Sequence, residues 1–173
     1  MIKVHDTKLK GVKLIEPSIF KDHRGEYIET YNEKLYRELG ITIKFVQDDI
    51  SVSSKNVLRG LHGDDKTWKL VSCAYGEFML AVVNFDCEAN QYLEWETFVL
   101  SDRNRLQVLV PPKFANGHLV LSEQAIFSYK QSTYYQPDSQ FTIRWNDPKI
   151  GIRWSIENPV LSKRDASAPF MDR

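Results

Sequence analysis

Apolar and polar side chains alternate along most of this chain, in stretches too short for helices and separated by clusters of turn-forming residues. Successive side chains of a strand point to opposite faces, so such a stretch predicts a strand with one face buried. Val12 and Leu14, and then Glu26 to Tyr31, read as strands on either side of the polar turn Lys21-Asp22-His23-Arg24-Gly25. Ile43 to Ser53, Val57 to Leu61 and Trp68 to Tyr75 continue the pattern. Phe78 to Phe85 is almost unbroken in apolar residues, which predicts a strand covered on both faces. Leu93 to Leu100, Leu106 to Val110, Gly117 to Leu121 and Ala125 to Gln131 follow, with a turn at Ser101-Asp102-Arg103-Asn104 and a stop at Pro111-Pro112.

One segment has helical spacing. Asn32 can cap it, Leu35, Tyr36 and Leu39 share a face, and Gly40 ends it. Many short strands at roughly ten-residue spacing, without a long helical crossover, predict an all-β, mainly antiparallel sandwich or barrel. After Tyr135 the breaks Gln136-Pro137-Asp138, Asn146-Asp147-Pro148 and Asn158-Pro159 divide the tail into short pieces, which Trp145 and Trp154 are expected to anchor on the β core. A carboxylate of that tail, Asp165, can then reach a site built on distant strands. There is no repeat, low-complexity segment or linker, so residues 1–173 are expected to form a single domain.

Charge and cysteine content narrow the function classes. The 23 Lys and Arg balance 23 Asp and Glu, so no overall positive field points to nucleic acid or an anionic membrane, and any anion site must be local. Cys73 and Cys87 are too few for a disulfide framework, and Cys73, within an apolar run, reads as a buried thiol; neither is a candidate nucleophile. Met1 to Asp6 lacks an apolar leader and no run of about 18 apolar residues occurs, which predicts a soluble, unexported, cytoplasmic protein.

The densest candidate chemistry lies between Leu58 and Leu70. Arg59 could hold an anion, His62 remove a proton and Lys69 stabilise negative charge, all within eleven residues. Solvated strand charges beside a hydrogen-bonded histidine would give the same spacing. The four histidines, His5, His23, His62 and His118, form no H-x-H or H-x-x-x-H pair, so no catalytic metal is expected. Glycine-rich nucleotide loops are absent too, leaving side chains such as Arg59 and Arg24 to hold the phosphates of any bound nucleotide.

A set of short motifs then occurs in order: Asp22-His23-Arg24-Gly25, Gln47-Asp48-Asp49, Leu58-Arg59-Gly60-Leu61-His62, Lys69-Leu70, Val110-Pro111, Phe114-Ala115, Tyr129-Lys130, Tyr134-Tyr135, Trp145-Asn146-Asp147-Pro148, Ile150-Gly151-Ile152 and Leu161-Ser162-x-x-Asp165. Each is weak alone, but together they resemble the dTDP-4-dehydrorhamnose 3,5-epimerase family over nearly the entire chain. The resemblance implies a cupin-type jelly roll or β-barrel with a few short helices, active without metal or organic cofactor. It also implies a homodimer whose N-terminal strand crosses to the partner, and substrates that are nucleotide-linked 4-keto-6-deoxy sugars inverted at carbon 3, carbon 5 or both.

A ketone at carbon 4 acidifies the neighbouring C–H bonds, so inversion needs a base on one face, an acid on the other and an oxyanion partner at O4. By resemblance His62 is the base, Asp165 orients its ring, Lys69 stabilises the enolate and Tyr129 returns the proton. Arg24, Glu29, Gln47, Asp49, Arg59, Asn116, Tyr135 and Arg164 are the implied substrate-binding residues. Local sequence alone also admits Tyr129 as a packing tyrosine with its hydroxyl in water, Asp165 as an exposed tail residue or helix cap, and Lys69 as a solvent-facing strand lysine.

The chain departs from the family pattern in places. Gly-Phe-Ala-His-Gly-Phe is replaced by Lys113-Phe114-Ala115-Asn116-Gly117-His118, and the strand Asp-Val-x-Val-Asp-x-Arg by Leu80-Ala81-Val82-Val83-Asn84-Phe85-Asp86. After His62 the chain runs Gly63-Asp64-Asp65-Lys66-Thr67-Trp68 where the family has Tyr-Gln and a longer loop. This form more closely resembles the branch acting on GDP-linked 4-keto heptoses for surface polysaccharides such as capsule. The alternatives are a dTDP-linked 3,5-epimerase, a sugar-nucleotide 3,4-ketoisomerase and a non-catalytic sugar-nucleotide-binding barrel.

Overall fold

The computed structural model describes residues 1–171. In chain order its strands are β1 (Lys3–Asp6), β2 (Lys13–Glu16), β3 (Ile19–Asp22), β4 (Gly25–Ile28), β5 (Gln47–Ser54), β6 (Leu58–Gly63) and β7 (Lys69–Tyr75). They continue with β8 (Glu77–Asn84), β9 (Trp95–Ser101), β10 (Gln107–Val110), β11 (Phe114–Val120), β12 (Gln124–Gln131) and β13 (Phe141–Thr142). The helices are α1 (Glu33–Glu38) and the four-residue α2 (Lys163–Ala166). Antiparallel pairing builds a six-stranded sheet in the order β1-β2-β10-β7-β12-β5 and a five-stranded sheet in the order β13-β6-β11-β8-β9. β3 and β4 form a separate hairpin.

Alternation along β8 shows how the layers are made. Phe78, Leu80 and Val82 face the core between the sheets, packing in one cluster with Val71, Val108 and Phe127 of the opposite sheet. Ala81 and Val83 face the other way and are covered by Ile143, Ile150 and Ile152 of the tail. The apolar run is therefore covered on both faces, as its composition predicts, and each side chain the size of Leu80 contributes roughly 1.5–3 kcal/mol by leaving water. Trp145 and Trp154 anchor the tail: Trp154 donates its indole N–H to the Trp145 carbonyl at 2.8 Å, and both pack near Leu58 and Leu119.

On the far side of the six-stranded sheet, α1 lays Tyr36 over Ile15, Leu70 and Leu109. Asn32 caps this helix through a bond from the Leu35 N–H at 3.2 Å, and Gly40 follows with φ +85°, a left-handed conformation that favours glycine. The helix thus lies where its spacing predicts. Three strands were not anticipated, β1, β3 and β13; β1 and β3 are four residues long and mostly exposed and β13 has only two residues, so none has an apolar face to betray it. Ile43 to Val46, expected as the start of β5, instead runs outside any strand over the outer cluster. No helix is long and apolar enough to cross a membrane among the described residues.

Candidate active site

A cavity of about 470 Å³ opens between the two sheets. Its floor and walls come from inward positions of both. On β5 the polar residues Gln47, Asp49 and Ser51 recur at every second position and line it, and on β12 Phe127 and Tyr129 do the same. Opposite them stand Arg59, His62, Asn116 and His118 from β6 and β11.

Arg59 and His62 are three positions apart, which in a regular strand puts them on opposite faces. A bulge brings both into the cavity. His62 pairs with Asn116 and Arg59 with His118, so β6 spends three steps where β11 spends two. Gly60 takes up the irregularity with φ +115°, and a Cβ there would lie 2.6 Å from Gly117 Cα and 2.7 Å from the Asn116 carbonyl oxygen. Glycine is required at this crossing by conformation and by space.

His62 is held from the far end of the chain. Its Nε2 lies 2.6 Å from Asp165 Oδ1, leaving Nδ1 as the other ring nitrogen. Ser162 caps α2 by accepting the Asp165 N–H at 3.1 Å, and its hydroxyl donates to Asp165 Oδ2 at 2.9 Å. Asp165 is only 2% exposed. Burial opposes its ionisation, but the bonds from His62 and Ser162 and the nearby Gly60 backbone outweigh that, and its pKa is lowered. The carboxylate stays charged beside the imidazole, which suits it to orient the ring and stabilise an imidazolium.

Lys69 is also buried, and its ammonium donates to Asn116 Oδ1 at 3.3 Å. Burial lowers its pKa, assisted by the charge of Arg164 and opposed by Asp64. The solvent-facing reading of Lys69 is thereby corrected: an inward position on β7 outweighs the local alternation. Tyr129 is half-buried, its ring against Phe127 with centroids 5.3 Å apart, and its hydroxyl has no hydrogen-bond partner among the described residues. Burial, with the charge of Asp49 beside it, pushes the phenol up to about 12, so it remains a proton donor near neutrality. Asp49 itself accepts from Gln47 at 2.8 Å and Gln131 at 2.7 Å.

Tyr135 and Arg164 line the mouth. The Tyr135 N–H donates to Gln47 Oε1 at 2.8 Å, and Arg164 is steadied by Thr142 Oγ1 at 2.6 and 2.9 Å. Ten of the twelve residues expected from sequence therefore meet in one cavity. The exceptions are Arg24 and Glu29. Arg24, at the tip of the β3–β4 hairpin, pairs with its neighbour Asp22 at 2.6 Å, and Glu29 follows β4; neither reaches the cavity of its own chain. Sequence reasoning did not assign Ser51, Gln140, Ser162 or His118 to the site. Ser51 was within reach, because it continues the period-two series of Gln47 and Asp49, and Ser162 because Ser-x-x-Asp is a capping pattern. Among the described residues no three His, Cys, Asp or Glu side chains converge as a metal site.

The protein is a cupin-type jelly roll with its pocket between the sheets. The family model for dTDP-4-dehydrorhamnose 3,5-epimerase matches residues 6–173. The enzyme of that name from Salmonella typhimurium is 43% identical over 178 residues, covering 100% of this chain and 97% of the relative. Among solved structures, the Legionella pneumophila dTDP-6-deoxy-D-glucose-3,5-epimerase in complex with dTDP-4-keto-L-rhamnose superposes with a TM-score of 0.94 at 40% identity, covering 98% of this chain and 93% of that one. The Bacillus anthracis dTDP-4-dehydrorhamnose 3,5-epimerase with TDP and pyrophosphate bound gives 0.95 at 34% identity, covering 99% and 100%. The chain belongs to the dTDP-4-dehydrorhamnose 3,5-epimerase family and is an isomerase of the epimerase type.

Proposed function

We propose that the protein inverts carbons 3 and 5 of a dTDP-linked 4-keto-6-deoxy sugar through an enolate. His62 removes the proton, Asp165 orients the ring and stabilises the imidazolium, Lys69 meets the charge developing on O4, and Tyr129 returns a proton from the opposite side. The observation that carries this reading is the disposition of His62 and Tyr129 on facing sheets, the first locked to a buried carboxylate at 2.6 Å and the second with an unengaged hydroxyl. Base and acid on opposite walls are what inversion at carbon requires. Arg59 is assigned to the diphosphate, with Gln47, Asp49, Asn116, Tyr135 and Arg164 as further substrate contacts.

The thymidine-linked sugar takes precedence over the guanosine-linked heptose suggested by the sequence around His62, because the relatives above are named for dTDP-linked compounds. We also assign the working form to a homodimer. β5 is an edge strand with Ile50 67% and Val52 50% exposed, and the β3–β4 hairpin carries exposed Phe20 and Tyr27. Such residues are expected to be covered by a second copy, which would bring Arg24 and Glu29 to the partner's pocket.

The test is solvent exchange. With dTDP-4-keto-6-deoxyglucose in deuterium oxide, deuterium should appear at carbons 3 and 5 as the configuration inverts. Exchange with a GDP-linked 4-keto heptose and none with the dTDP sugar would reverse the choice of substrate, and no exchange with either would remove the epimerase reading.

A further inference from the structure

His118 is a buried titratable group that the proposed chemistry leaves unused. It stands on the inner face of β11 opposite Arg59, its register partner on β6. The ring is 4% exposed, stacks on Phe127 with centroids 4.2 Å apart and planes at 12°, and tilts against Phe78 at 5.2 Å. A benzene ring would pack there equally well. The two nitrogens, however, bond to none of the described residues, and the ring lines the cavity wall. Two other polar groups lack protein partners nearby. The Ser51 hydroxyl, on β5 opposite Phe127, is buried and unsatisfied. Arg59 engages Ser53 Oγ through Nε at 3.0 Å, and its terminal nitrogens bond to none of the described residues. A buried hydroxyl without a partner, an enclosed imidazole and an exposed guanidinium with free terminal nitrogens line the same cavity, which points to a partner that arrives with the ligand.

We propose that His118 is a specificity-determining residue of this pocket, donating a ring N–H to a diphosphate oxygen of the substrate that Arg59 anchors. Burial, together with the charges of Arg59 and His62, holds the imidazole pKa down to about 3, so the ring acts as a directional neutral donor and adds no second cation beside Arg59. Charge compensation comes from Arg59, and the position of the diphosphate from His118 and Ser51. The identity of that oxygen rests on the sugar-nucleotide reading above.

The test is His118→Phe, which keeps the stack on Phe127 and removes only the nitrogens. Dissociation constants for inorganic pyrophosphate and KM for the sugar nucleotide should each rise about tenfold or more, as for loss of a bond to a charged group, with kcat within about twofold. His118→Gln, which gives up the ring but keeps an N–H, should recover part of the pyrophosphate affinity, and it decides the matter if the Phe variant does not fold. Unchanged pyrophosphate affinity in the Phe variant, or a fall in kcat at constant KM, would overturn the assignment, and so would a wild type that binds no pyrophosphate. If the wild type binds pyrophosphate but turns over no 4-keto sugar nucleotide, the functional reading fails while the pyrophosphate comparison still decides the role of His118.

Discussion

Replacing Asp165 by asparagine should disable His62 with little disturbance to the fold. The Ser162 hydroxyl proton is committed to Asp165 Oδ2 at 2.9 Å, so the amide oxygen of the variant takes that position and the amide NH₂ faces His62 Nε2. An NH₂ there can only donate, which moves the ring proton to Nδ1 and occupies the nitrogen that must act as base. Loss of the charge-assisted bond alone costs roughly 1.5–3 kcal/mol, about one to two powers of ten in rate at 1.36 kcal/mol per tenfold. With the tautomer reversed as well, kcat should fall by about 10²- to 10⁴-fold. The assay is deuterium entry at carbon 3 followed by NMR, alongside kcat and thermal melting. Because folding lowers the pKa of Asp165, its contribution to stability is complete above the ordinary carboxylate range and disappears as pH falls through the lowered value. The melting temperature of the wild type should therefore exceed that of the variant at neutral pH and converge on it below about pH 4. A kcat within about threefold of wild type, or a loss confined to KM, would refute this account of the base.

Tyr129→Phe removes the acid but not the base, so deuterium should still wash in on the His62 side while net inversion drops by about 10²- to 10⁴-fold; inversion at the wild-type rate would reassign the acid, with Tyr135 next to be examined. Lys69→Met should abolish turnover and raise the melting temperature near pH 7, because the fold no longer buries an ammonium. Since folding lowers the pKa of Lys69, the wild type gains stability as pH rises through that lowered value towards the ordinary lysine value near 10.5, and the advantage of the Met variant in a melting series should shrink accordingly. Gly60→Ala meets φ +115° and a neighbouring Cα at 2.6 Å, so unfolding titrations should show a loss of at least about 1–3 kcal/mol, together with loss of activity.

Much of the fold was legible because most strands are half-buried and advertise it. β8 is the clearest case, where an unbroken apolar run meets apolar partners on both faces. β5 shows where alternation stops being informative. Its apolar members Ile50 and Val52 are exposed while its polar members Gln47, Asp49 and Ser51 line the cavity, because the inner face is a pocket wall. Period two reveals that a strand exists and which residues share a face, but a site inverts the usual rule for which face is inside. β1 and β3 carried no such signal, being short and largely exposed.

The candidate site was legible as a set of residues but not as an arrangement, and the bulge at Gly60 is the reason. Simple alternation separates Arg59 from His62, and would give one cavity either an anion anchor or a base. Only the pairing of β6 with β11, three steps against two around Gly60 and Gly117, turns both inward. The Asp165 bond crosses 103 residues of sequence and depends on the tail folding over the five-stranded sheet, so no local pattern could supply it. Lys69 and Asp165 both look like surface residues in their own segments, yet each is buried, because the elements that cover them come from elsewhere in the chain. Burial of these two charges is unfavourable for the fold on its own account; His62 and Ser162 offset it for Asp165, while the charge of Asp64 and the Asn116 bond offset only part of it for Lys69. Stability and the proposed chemistry are therefore coupled through the same contacts. That coupling is why Lys69→Met should yield a protein that melts higher and turns over nothing.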